Sequence, residues 1–158
     1  MGDMTVIIGQ KTALQTLDDA LKNGRAHHAW IFRGPAGVGK CTTATEFARC
    51  LILNTEPSTI LGNTPGEFKH NDLHIIQKEG ASWSKNTSLA RRKQTNIPVD
   101  LLRERMIGGK TSDDRTHDAV AFRTSYSGGN KVFIIDEAEL LDETAQNALL
   151  KTLEEPPL

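Results

Sequence analysis

The stretch Gly34-Pro35-Ala36-Gly37-Val38-Gly39-Lys40-Cys41-Thr42 decides how this chain is read. It follows a short apolar run, Ala29-Trp30-Ile31-Phe32, and opens a helical pattern. Strand, glycine-rich turn and helix start is an arrangement that turns backbone N–H groups toward a phosphate. The glycines permit φ > 0 and close approach to a ligand, and the positive end of the following helix faces the anion. The spacing Gly34-x4-Gly39-Lys40 fits the phosphate-binding loop pattern, in which Lys40 would reach the β- and γ-phosphates as a point charge. A glycine-rich turn with an incidental lysine is the competing explanation, and the fitting context on both sides of the loop argues against it. The next position departs from the pattern: Ser or Thr is called for, and the chain has Cys41.

Working outward, Ala44, Phe47, Ala48 and Leu51 recur at helical spacing, which predicts a helix from about Lys40 to Leu53, ended by Asn54 and Pro57. The run 29–32 is predicted to be a strand buried on both faces. Upstream, Leu14, Leu17, Ala20 and Leu21 mark one face of a helix, with Asp18 off that face and Asn23-Gly24 as its stop. Downstream, 54–72 reads as loop, Asp72 as a turn residue and Leu73-His74-Ile75-Ile76 as a second strand. Ser82 to Asn96 is polar and basic and reads as a mobile loop or a short exposed helix. Pro98 suits a helix start, Leu101, Leu102, Met106 and Ile107 supply an apolar side, and Gly108-Gly109 stops it. Residues 110–128 have weak periodicity.

Val132-Phe133-Ile134-Ile135 reads as a buried strand ending in two acids, Asp136-Glu137. Acids beside an apolar strand are costly unless they have a partner or a task, because burial disfavours the ionised form. Beside a phosphate-binding loop, the first acid serves Mg²⁺ through water and the second orients or deprotonates the attacking water. Leu140-Leu141, Ala145, Ala148, Leu149-Leu150 and Leu153 then mark an amphipathic helix ended by Glu154-Glu155-Pro156-Pro157.

Cys41 bears on the chemistry. Mg²⁺ is a hard cation that prefers oxygen, and a thiol, with an unperturbed pKa of about 8.5, is soft and mostly neutral. Thr42 does not simply stand in, since one residue along a helix turns the side chain by about 100°. Nucleotide binding is expected to survive and Mg²⁺-dependent hydrolysis to be weakened, the alternative being that water fills the missing position and little changes.

The 158 residues, 37% hydrophobic and 25% charged, suit one soluble domain with a real core. No apolar run approaches the roughly 20 residues of a membrane helix, so no membrane partner is expected. The N-terminus lacks a secretory signal pattern, and two cysteines without C-x-x-C spacing make a cytoplasmic setting the default and zinc unexpected. The net charge of −1 hides an asymmetry. Lys78 to Lys110 holds eight Lys/Arg against three acids, and Asp136 to Glu155 seven acids against one Lys. A basic stretch can meet phosphates, although a solvated surface explains such runs as readily.

These residues resemble the AAA+ clamp-loader ATPase domain, and within it the bacterial DNA polymerase III delta-prime and gamma/tau subunits. Ile7-Ile8-Gly9-Gln10 is similar to the box beside adenine, His28 to Pro35 to the strand entering the phosphate loop, and Lys131 to Glu139 to the Walker B segment. Gln146-Asn147-Ala148-Leu149-Leu150-Lys151-Thr152-Leu153-Glu154-Glu155-Pro156-Pro157 is the most specific stretch. The resemblance implies an α/β fold, a P-loop AAA+ (RecA-like) parallel sheet flanked by helices, truncated before the sensor 1 strand. On that reading 1–158 is an incomplete nucleotide-binding domain whose lid and collar lie elsewhere.

It further implies ATP and Mg²⁺ as cofactors. Ile7 and Ile8 would touch the base; Gly34, Gly37, Val38, Gly39 and Lys40 would bind phosphates, and Thr42 would reach the α-phosphate. Cys41 would occupy the Mg²⁺-hydroxyl position, Asp136 would serve Mg²⁺ and Glu137 would be the catalytic carboxylate. The implied partners are other clamp-loader subunits in a hetero-pentamer, the sliding clamp and primer–template DNA, met through the assembly. Arg91, Arg92, Lys93, Arg103 and Arg105 are DNA-contact candidates by charge alone. Two alternatives stay open: a structural delta-prime-like subunit with vestigial nucleotide binding, favoured by Cys41, and another AAA+ motor such as a branch-migration helicase.

Overall fold

The computed structural model describes residues 9–24, 26–55, 68–91 and 93–155. It is a mixed α/β structure whose chain divides into two compact units, residues up to 73 with 125–134, and 74–124 with 135 onward. The division runs through two strands, β1 (Leu73–Ile76) and β4 (Val132–Ile135), which pair in a two-stranded sheet. The pairing is parallel: Asp72 O accepts from Val132 N at 2.8 Å, and four residues on Ile76 O accepts from Asp136 N at 3.0 Å. Both strands fall where the apolar runs place them.

In the first unit, α1 (Lys11–Lys22) packs against α2 (Lys40–Leu53). Leu14, Leu17, Phe47 and Cys50 form the core, with Leu21, Ala26, Trp30, Phe32 and Leu51 against it. The bounds of α2 match the expectation, and Asn54 ends it in the left-handed region at φ 48°. Asp18 is buried rather than off the packed face, and its carboxylate pairs with Lys22 one turn on.

The run 29–32 corrects the reading of a doubly buried strand. Trp30 and Phe32 pack inward, with the Trp30 ring edge-on to Phe47 at 5.4 Å, whereas Ile31 is 94% exposed. The residue alternation is that of a one-sided segment. Among the described residues no strand pairs with it, so no ladder forms and Ile31 has no neighbour to cover it.

Asp72 lies in a turn, as expected, and does more than turn the chain. It is 1% exposed, and its carboxylate accepts from Tyr126 N at 2.6 Å, Ser127 N at 2.9 Å and the Ser127 hydroxyl at 2.8 Å. Asn130 donates to Leu51 O at 2.9 Å, tying the same turn to the end of α2. The turn before β4 is therefore fixed on the residue before β1, which sets the register of the parallel pair.

In the second unit, β1 leads into a 3-10 segment, Lys78–Trp83, and a short helix α3 (Thr87–Ala90). Its N-cap Asn86 is 3% exposed and accepts from Ser88 N and Leu89 N. Within 82–96 the short helix Thr87–Ala90 thus has its cap and Leu89 buried and is not uniformly exposed. Helix α4 (Val99–Leu102) starts after Pro98 and continues into a π turn, Arg103–Ile107, that Gly108 stops at φ 71°. A hairpin that weak periodicity hides, β2 (Gly109–Lys110) with β3 (Thr116–His117), follows.

Helix α5 (Glu143–Glu154) packs on α4, and Ile97, Leu101, Leu102, Ala145 and Leu149 are buried in this unit. It begins later than its hydrophobic pattern predicts. Leu141 forms a parallel bridge with Ile97, and Asp142 accepts from Ala145 N at 2.7 Å, so the backbone leaves the extended bridge only at that cap.

Candidate functional site

The glycine loop lies in the first unit. Gly37 and Gly39 take φ of 79° and 85°, the left-handed values that glycine reaches without a Cβ penalty. A Cβ at either would meet nothing within 4 Å, so the positive φ, and not crowding, is what calls for glycine there. Gly39 caps α2 without a side chain, leaving the helix's positive end turned to the loop. The Lys40 ammonium donates to Gly34 O at 2.9 Å and Pro35 O at 2.8 Å, so its charge lies across the loop mouth.

Behind the loop, Thr43 donates its hydroxyl to Gly39 O and Thr45 to Cys41 O, each at 2.9 Å, and the helix start is held one turn deep. Cys41 and Thr42 are half-buried on that first turn. Neither cysteine forms a disulfide. Ile7 and Ile8, expected beside a base, fall outside the described residues.

The acid pair lies in the second unit, just past β4. Asp136 Oδ1 accepts from Glu137 N, and Oδ2 accepts from the Gln77 amide, both at 3.1 Å. Glu137 takes φ 55°, a left-handed conformation uncommon for a non-glycine residue, and starts the 3-10 turn Ala138–Leu140. Its carboxylate is exposed and accepts from Lys78 Nζ at 2.9 Å. The hydrogen bond to Glu137 raises the Lys78 ammonium's pKa above 10.5, against the opposing effect of desolvation and with further help from Glu79 and Glu139.

Gln77 and Lys78, which sequence reading overlooks, join the candidate site through these bonds. The signal was available. Two parallel strands that end together place the residues after each side by side, so Gln77 and Lys78 fall beside Asp136 and Glu137.

The residues fit the groups expected of them in unequal measure. A loop with two left-handed glycines, a helix start and a lysine ammonium suit a chain of phosphates. For a divalent cation the loop's first helical turn offers less: Cys41 presents a soft sulfur where Mg²⁺ takes a hard oxygen. Among the described residues no three His, Cys, Asp or Glu side chains cluster as a metal site.

A family model described as DNA polymerase III, delta subunit, matches residues 9–158. The chain belongs to this family. Relatives of the polymerase III subunit family member include the DNA polymerase III subunit tau of Escherichia coli K12, 34% identical over 151 residues, and the subunit gamma of Buchnera aphidicola, 32% identical over 155 residues. The subunit tau of Bacillus subtilis is 32% identical over 155 residues. Each alignment covers 96% of this chain but only 20%, 36% and 23% of the relative, respectively. The polymerase III membership agrees with the resemblance carried by the loop, the acid pair and the stretch from Gln146. Among the described residues, no helix is long and apolar enough to cross a membrane.

Proposed function

We propose that this chain is the nucleotide-binding portion of a clamp-loader subunit of the bacterial replicative polymerase, taking ATP at the glycine loop. The observation that carries the reading is Lys40 drawn back onto Gly34 O and Pro35 O across a loop of left-handed glycines at a helix start. In this reading Gly34, Gly37, Val38, Gly39 and Lys40 hold the β- and γ-phosphates, Thr42 the α-phosphate, and Ile7 and Ile8 the base. Asp136 serves Mg²⁺ through water and Glu137 orients the attacking water. The subunit acts beside others in a hetero-pentamer that opens the sliding clamp for primed DNA. Residues 1–158 are part of its AAA+ domain.

Cys41 supports a second reading, a structural subunit that binds nucleotide without turning it over. A thiol does not supply the hard oxygen that Mg²⁺ takes from Ser or Thr at this position. One experiment separates the two. The subunit is assembled with its partners, and ATP hydrolysis with sliding clamp and primed DNA is compared between wild type and Glu137→Gln. A loss of the subunit's share of turnover supports the catalytic reading. An unchanged rate with intact assembly leaves the structural one.

A further inference from the structure

A cavity of about 270 Å³ lies within the second unit and shares no lining residue with the glycine loop or the acid pair. Its walls are tied together. Asn86, 3% exposed, accepts from the Ser88 hydroxyl at 2.6 Å and donates to the Ser112 hydroxyl oxygen at 3.1 Å, which joins α3 to the turn of the hairpin. On another side Asn96 and Pro98 flank Ile97, which is fully buried and bridged to Leu141. Leu89 and Pro98 supply the apolar part of the lining.

Asp100 gives the cavity its sign, since it is the ionisable residue among those that line it. It is buried on the first turn of α4, and Oδ2 accepts from Ser112 N at 3.1 Å. Arg103 Nη1 stands 3.7 Å from Oδ1, beyond hydrogen-bonding distance. Among the described residues Oδ1 therefore accepts no hydrogen bond, although an ionised carboxylate has room for about four.

The neutral neighbours add acceptors. Gln94 donates its amide N–H to Leu89 O at 3.1 Å and keeps its carbonyl oxygen, and Ser88 has spent its hydroxyl hydrogen on Asn86. The Asn96 side chain makes no hydrogen bond among the described residues and offers a further carbonyl. The donors left, on Gln94, Asn96 and Ser112, are uncharged, so the carboxylate decides what the cavity attracts.

A buried carboxylate with an unfilled oxygen suits a positive donor. A guanidinium engages a carboxylate best through two parallel bonds, and Ser112 N already occupies one of the two oxygens. An ammonium is a compact charge with three donors and needs only the other. The volume is below the roughly 300 Å³ at which sites for drug-sized molecules begin, which fits one short alkyl stem. Leu89 and Pro98 suit its methylenes.

We infer that this cavity binds one aliphatic primary ammonium, which donates to Asp100 Oδ1 and to the carbonyl oxygens of Asn96 and Gln94. A free alkylamine and the lysine side chain of a partner protein both carry that group. The site lies outside the proposed nucleotide chemistry and does not depend on it.

The test is titration of the ¹⁵N-labelled protein with n-butylammonium and, separately, with a capped Gly-Lys-Gly peptide. The readout is the Ser112 amide resonance, because that N–H bonds to Asp100. Both probes should shift it saturably in the millimolar range, and the tighter of the two assigns the source of the ammonium. Asp100→Asn keeps an oxygen for Ser112 N and should weaken both probes at least about tenfold. Asn96→Ala removes a partly exposed side chain that holds no other element, and should weaken both by about threefold to tenfold with the fold intact. Absence of a saturable shift with either probe would overturn the inference, as would unchanged affinity in both variants. Equally tight binding of butyltrimethylammonium, which carries the charge without an N–H, would also overturn it.

Discussion

Lys78 Nζ donates to Glu137 Oε2 across 2.9 Å, joining the second residues beyond two parallel strands. The carboxylate proposed to orient water is therefore held by a cation from the neighbouring strand end. Because the pair raises the Lys78 pKa, the ammonium is present below 10.5, and the contribution of the pair is lost only as pH rises through the higher folded value. Across the neutral range Glu137 stays engaged. Lys78→Met should lower the urea midpoint only slightly, since the pair is half-exposed, and raise basal ATP hydrolysis by releasing Glu137. Steady-state hydrolysis beside an unfolding curve checks both.

Asp72 predicts a different pH response. Burial raises its pKa, but the hydrogen bonds from Tyr126 N, Ser127 N and the Ser127 hydroxyl, with the nearby His70, outweigh burial and hold it below 3.8. A depressed carboxyl contributes stability above its unfolded value, and that contribution drains away as pH falls through the folded one. Wild type should lose stability steeply below about pH 4. Asp72→Asn should be less stable at pH 7 and show a flatter acid limb, read by urea unfolding at several pH values.

Gly108 is the residue the second unit spares least. A Cβ there would sit 2.5 Å from Ala119 N and 2.8 Å from Ala119 Cα, and φ is 71°. Backbone cannot move aside as a flexible side chain can. Gly108→Ala should destabilise by about 2–4 kcal/mol, combining left-handed strain with overpacking, and lower the urea midpoint with the slope preserved.

Cys41 gives the fourth expectation. If the position serves Mg²⁺, Cys41→Thr should tighten Mg-ATP binding by several-fold while leaving metal-free ATP binding unchanged. Titrations in Mg²⁺ and in EDTA make the comparison. An equal effect in both would mean that the side chain acts through the loop rather than the ion.

Much of this architecture was legible in the sequence, for reasons that differ from element to element. Helix α2 announces both ends, with Gly39 before it and Asn54 after it, and its bounds came out as read. Strands β1 and β4 are continuous apolar runs flanked by turn residues. The run 29–32 looked alike, but an apolar run states only that it can be buried, and pairing depends on a neighbour. Leu140 and Leu141 continue the helical period of α5, yet Leu141 is taken by a bridge to Ile97, a contact distant in sequence.

The site divides the same way. The glycine loop and acid pair are local patterns, so residue spacing reveals them. Gln77, Lys78 and Asp72 act through partners dozens of residues away, and their identities as one amide, one lysine and one aspartate carry no pattern. They become visible only once β1 and β4 are laid parallel.

The most direct test of the account is equilibrium binding of ATP to the protein, by calorimetry, in wild type and Lys40→Ala. A bound phosphate that loses a charged hydrogen-bond partner should be held at least about tenfold less tightly, so saturable binding by wild type and a loss of that size in Lys40→Ala is the predicted result. No binding by wild type, or equal binding by Lys40→Ala, would contradict the claim that Gly34 to Thr42 cradles a nucleotide.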